Sequence, residues 1–88
     1  MSSKKYVVYI LECADGTFYT GITNNLSARI AQHHAGTGAK YTRGRGPFIL
    51  RFVEEGADRS WAQKREWEIK QMSRREKRRL IEERGIQT

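Results

Sequence analysis

Acidic side chains are missing from the middle of this 88-residue chain. After Asp15 none occurs until Glu54, while Arg29, Lys40, Arg43, Arg45 and Arg51 fall between them. An ordinary protein surface mixes both signs, so a one-sign stretch of this length argues against a merely solvated face. Cysteine is nearly absent as well. Cys13 alone can form neither an intrachain disulfide nor a zinc site, which fits a reducing, cytoplasmic location. At the end of a predicted hairpin strand it reads as a small packing residue. No apolar run approaches the roughly 20 residues of a membrane helix, so no membrane partner is expected. Met1-Ser2-Ser3-Lys4-Lys5 leads into a strand-like segment without the apolar region and cleavage site of a signal peptide.

What is present suits one small basic domain. A hydrophobic content of 38% supports a modest core and is too high for a disordered chain. We expect a single domain over residues 1–88, ordered from about 5 to 84, with no room for a second recognition module. Net charge is +7 and the isoelectric point about 10.0, which points to polyanions: nucleic acid first, an anionic membrane surface a distant second. A second basic run, Lys70, Arg74, Arg75, Lys77, Arg78 and Arg79, is interrupted only by Glu76 and reads as a solvated helix face.

The pattern predicts the order β-β-α-β-α-α, an α+β fold in which helices flank a small three-stranded antiparallel sheet. Lys5 to Cys13, rich in β-branched and aromatic residues, is a strand, and Thr17 to Ile22 is its partner. Two hairpin registers are possible. A two-residue Asp-Gly turn pairs Glu12 with Tyr19 and puts Tyr9 and Tyr19 on opposite faces. A three-residue Ala14-Asp15-Gly16 loop, with Gly16 left-handed, pairs Leu11 with Tyr19 instead. Tyr9 and Tyr19 then share a face as diagonal neighbours about 7–8 Å apart. We favour the second register, because only it gathers the two phenols.

Asn24 or Asn25 caps a helix to about His34, ended by Gly36-Thr37-Gly38. Leu26 and Ile30 form its expected buried stripe, and Arg29 and His33, four apart, stack along one flank. Lys40 to Pro47 is a basic, Gly-rich loop. Phe48 to Glu54 is the third strand, with Phe48, Leu50 and Phe52 expected on one side. Asp58 starts a helix to about Met72 with the stripe Trp61, Ala62, Ile69 and Met72. Glu66 lies at the edge of that stripe. Ser73 and Glu76 make a capping box for a last helix to about Arg84, closed by Gly85.

Tyrosines in strands are usually packers with a wet hydroxyl, and Tyr6 and Phe18 are read that way. Tyr9 and Tyr19 are different, because their ten-residue spacing is followed by Arg29 and His33. The segments Val7-Val8-Tyr9 and Tyr19-Thr20-Gly21, with Arg29, His33 and Glu66 in order behind them, resemble the GIY-YIG nuclease family over nearly the whole chain. Two valines replace Gly-Ile in the first motif and a threonine replaces Ile in the second. The segment His34 to Pro47 looks like the small stand-alone bacterial branch of that family.

The resemblance implies a metal-dependent DNA endonuclease of low intrinsic sequence specificity, with one Mg²⁺ or Mn²⁺. Structured or single-stranded DNA are the candidate substrates, and no protein partner is indicated. It implies roles for Tyr9 and Tyr19 in positioning or deprotonating water, for Arg29 on the scissile phosphate, for His33 as a proton relay and for Glu66 as the metal ligand. The chemistry is coherent. A guanidinium grips phosphate oxygens with a planar fork, and Mg²⁺ needs only one or two protein carboxylates. A phenol with a pKa of about 10 is a poor base at neutral pH, so Arg29 and a nearby cation would have to lower it. Lys40, Tyr41, Arg43 and Arg45 are expected DNA contacts without a catalytic role. The competing expectation is a nucleic-acid-binding module that keeps the fold and charge but little or no hydrolysis.

Overall fold

The computed structural model describes residues 5–86. Strands β1 (Tyr6–Glu12) and β2 (Phe18–Thr23) form the hairpin, followed by α1 (Leu26–Ala35) and a short 3₁₀ turn (Lys40–Thr42). Strand β3 (Ile49–Gly56) and helices α2 (Arg59–Lys70) and α3 (Arg74–Arg84) complete the chain. The sheet is antiparallel with order β2-β1-β3, so the expected architecture and element order are observed.

Helix starts follow the capping residues. Asn25 Oδ1 accepts from the Ala28 amide, Asp58 Oδ1 accepts from the Trp61 amide, and Ser73 and Glu76 close a reciprocal capping box. Gly36 ends α1 at φ 81°, a left-handed conformation that suits glycine.

Central strand β1 is covered on both sides. Val8, Tyr9, Ile10 and Leu11 have no exposed surface, which explains the unbroken apolar run. Val8 and Ile10 face one way, into a core with Phe52, Ala62 and Ile69, edged by Phe18, Ile22, Trp61, Met72, Leu80 and Ile81. That face is roofed by α2 and α3. Tyr9 and Leu11 alternate to the opposite face, towards α1 and the loop after it.

Two expectations are corrected. Phe48, Leu50 and Phe52 do not share a side. Ile10 pairs with Phe52 but Leu11 pairs with Leu50, so Arg51 is an extra residue in a bulge. The bulge turns Phe52 into the α2/α3 core and Leu50 away from it. Phe48 precedes the strand and packs edge-on against His33 and His34. Nor do Leu26 and Ile30 form the buried stripe of α1. Both are only partly buried, and the helix's one buried residue is His33.

Candidate active site

The hairpin adopts the three-residue loop. The Cys13 amide donates to Thr17 O and the Gly16 amide to Cys13 O, with Gly16 at φ 83°. Leu11 therefore pairs with Tyr19, and Tyr9 with Gly21. The Tyr9 and Tyr19 rings lie 6.2 Å apart on the same face. Gly21 is what lets them meet. A Cβ there would stand 2.7 Å from Tyr9 Oη and 2.9 Å from Tyr19 Cε2. The Tyr9 ring thus crosses Gly21 and delivers its hydroxyl at β2, an outer strand of the sheet.

His33 meets that hydroxyl from α1. Its Nε2 lies 2.8 Å from Tyr9 Oη, and its Nδ1 lies 2.8 Å from Thr42 Oγ1. Thr42 Oγ1 in turn lies 2.9 Å from the Ala39 carbonyl, which can only accept. The threonine proton is committed there, so Thr42 Oγ1 accepts from His33 Nδ1–H. Nε2 is left as a bare lone pair, and Tyr9 O–H donates to it. Every hydrogen bond in the chain Tyr9, His33, Thr42, Ala39 O therefore runs in one direction. Gly38 allows the ring to fit, since a Cβ at that position would be 2.5 Å from His33 Nδ1.

The electrostatics agree with neutral partners. Burial holds the His33 pKa below its usual value, helped by the charges of Arg29 and His34. Burial also raises the Tyr9 phenol from 10.0 to about 12, with Tyr19 adding to the rise. Arg29 opposes it through hydrogen bonding and charge, and Glu66 raises it further. For Tyr9, burial outweighs the guanidinium, so Arg29 by itself does not bring the phenol towards neutral pH. The charges of Arg29 on α1 and Glu66 on α2 are thus both felt at the phenol, while the Arg29 guanidinium donates to Gln32 Oε1 at 2.9 Å. Glu66 Oε2 is 3.3 Å from Lys70 Nζ, one helical turn on.

The loop residues divide. Lys40 and Arg43 are exposed. Tyr41 stacks on Tyr19 at 6.0 Å. Arg45 is turned inward: its guanidinium lies 4.5 Å over the Tyr41 ring, its Nε donates to Tyr41 O at 2.7 Å, and it pairs with Asp15. The acid-free stretch thus has its charge partly answered from the hairpin loop, which linear order hides. Thr42 is the functional residue that pattern reading missed. A threonine in a Gly-rich basic loop carries no signal of its own until His33 is placed beside it.

Among the described residues no group of three or more His, Cys, Asp or Glu side chains gathers as a metal cage. A cation here would have Glu66 as its protein carboxylate, with water and phosphate oxygens completing the shell. That donor set suits Mg²⁺ or Mn²⁺ once Lys70 yields.

Comparison with known proteins gives one consistent answer. Residues 5–79 match the model of the GIY-YIG catalytic domain. A UPF0213 protein of Halobacterium salinarum is 53% identical over 74 residues, covering 84% of this chain and 96% of that one. One from Staphylococcus haemolyticus is 51% identical over 80 residues, covering 91% and 98%. The solution NMR structure of a UPF0213 protein from Bacillus halodurans is 47% identical, with a TM-score of 0.62 over 92% of this chain and 86% of that one.

Proposed function

The chain belongs to the GIY-YIG family, and on that premise we propose that it is a nuclease hydrolysing DNA phosphodiester bonds with one divalent cation. The observation that supports this reading most is the directed contact of Tyr9 Oη with His33 Nε2, where the charges of Arg29 and Glu66 are also felt. A phenol at about 12 is not ionised at neutral pH, so phenolate is not the resting base. The proton instead moves in two linked hops. Tyr9 Oη takes a proton from the attacking water while its own proton passes to His33 Nε2. The imidazolium so formed keeps Nδ1–H on Thr42. Arg29 holds the non-bridging oxygens of the phosphate and offsets their growing charge. Held by Glu66, Mg²⁺ or Mn²⁺ would supply Lewis-acid stabilisation at the phosphate.

A nucleic-acid-binding module without hydrolysis is the competing reading, favoured by Lys70 standing on Glu66. Cleavage assays on plasmid, single-stranded and branched DNA with Mg²⁺ or Mn²⁺ separate the two. Arg29→Ala and Glu66→Ala should each lose nicking by at least about a hundredfold, while Glu66→Ala still binds DNA. Equal nicking by wild type and Glu66→Ala would point to a contaminating enzyme and end the nuclease reading.

A further inference from the structure

Beside the catalytic cluster, on the same side of the sheet as β2, opens a cavity of 370 Å³ lined by Phe18, Tyr19, Thr20, Tyr41, Lys70 and Lys77. Its size is near the lower end of small-molecule sites, roughly 300–1,000 Å³. Thr20 is the telling residue. It is 3% exposed, and its Oγ1 has no hydrogen-bond partner. A buried hydroxyl normally finds one; Oγ1 is covered by its neighbours, and a turn of the Thr20 side chain is what would bring it to a ligand in the cavity that Thr20 lines. Around it stand aromatic walls and two ammonium groups. The walls are held in advance: Arg45 clamps Tyr41 from ring face and backbone, and Arg74 and Arg78 lie 5.5 and 5.9 Å from the Phe18 ring.

We propose that this cavity is a subsite for one unpaired nucleotide neighbouring the scissile phosphate. The base lies against Phe18 and Tyr41 with a polar edge atom on Thr20 Oγ1, and its phosphate sits between Lys70 and Lys77. Three chemistries meet only in a nucleotide: a flat ring for the aromatic walls, polar ring atoms for the hydroxyl, and an anion for the ammonium pair. A base can lie against these walls only after leaving its own stack, so the nucleotide must be single-stranded, frayed or flipped out. Towards the other end of β2 a second cleft, lined by Ile22, Thr23, Arg29 and Arg59 among others, continues the basic track. One strand running along β2 would cross the cluster of Tyr9, His33 and Arg29 between the two. The position next to a scissile phosphate rests on the nuclease reading. The binding itself does not.

The test is a metal-free NMR titration of the full chain with thymidine 5′-monophosphate, deoxyribose 5-phosphate and inorganic phosphate. The nucleotide should shift Phe18, Thr20 and Tyr41, whereas the two sugar-free or base-free anions should shift only the lysine side of the cavity. Thr20→Val, which keeps shape and loses the hydroxyl, should weaken nucleotide binding roughly fivefold, and Lys77→Gln at least as much. Backbone spectra of both variants confirm an unchanged fold. Identical shifts from nucleotide and phosphate, or wild-type affinity in Thr20→Val, would overturn the subsite. Nucleotide binding without any DNA nicking would sink the nuclease reading and keep the subsite. Normal nicking with unaltered binding in both variants would do the reverse.

Discussion

The two faces of the sheet are held by different physics. On the α2/α3 face Val8, Ile10, Phe52, Ala62 and Ile69 are buried among aliphatic and aromatic neighbours. Stability there scales with apolar area, and many side chains of similar volume would serve. On the α1 face, beside apolar Leu11, the buried groups Tyr9, His33 and Thr42 are polar, and each needs a specific donor or acceptor. An unmatched polar group at such depth costs more than a matched one gains. The first face makes the fold, and the second positions reactive atoms within it. A substitution should therefore injure stability on one side and reactivity on the other.

The largest expected effect is on the apolar side. Phe52→Ala should lose about 3–5 kcal/mol of unfolding free energy, read by urea denaturation, because it opens a cavity in the buried apolar cluster of that face. If the variant instead keeps its stability, the contrast between faces is wrong.

Gly21→Ala tests the other side with one methyl group. The added Cβ would collide with the Tyr9 hydroxyl, so nicking should fall by roughly a hundredfold as the phenol is displaced. The added methyl meets Tyr9 and Tyr19 and not the apolar cluster under α2 and α3, and the urea midpoint should move far less than for Phe52→Ala.

Thr42→Val should come next. It orphans His33 Nδ1–H at a cost of about 1–3 kcal/mol and frees the imidazole to take the other tautomer. Nicking should slow by about tenfold, and ¹⁵N shifts of His33 should show mixed tautomers. Thr42→Ser, which keeps the hydroxyl, should restore both. A Valine variant with one clean Nδ1–H tautomer would refute the positioning role.

The smallest effect is a shift in pH profile. In the proposed mechanism neutral His33 accepts the proton, and burial keeps its pKa below the usual imidazole value. Nicking should hold at pH 7 and fall on acidification below about 6.5. His34 contributes to the lowering, so His34→Ala should move the fall to higher pH. Acid should also weaken the fold, since the unfolded imidazole takes up its proton first.

How much was legible follows the same divide. Turn chemistry is local, so a glycine turn after Cys13 could be read, but it allowed two registers, and the observed pairing of β1 with β2 decided for the three-residue loop. The three helix starts were readable for the same reason. The bulge at Arg51 was not, because alternation in β3 is unbroken in sequence and only pairing with β1 reveals the extra residue. Arg45 looked like a free cation, since its partner Asp15 lies 30 positions away. Thr42 gave no sign at all.

Sequence by itself determined the strand and helix order, the caps and the family to which the chain belongs. These depend on residues within a few positions of one another, or on a pattern spread along the chain. Only the tertiary structure decided that Tyr9 donates to His33, that Thr42 sets the imidazole tautomer, and that Thr20 has a buried hydroxyl beside a cavity. Hydrogen-bond direction depends on which polar groups meet in space, and side-chain spacing along a chain does not encode it.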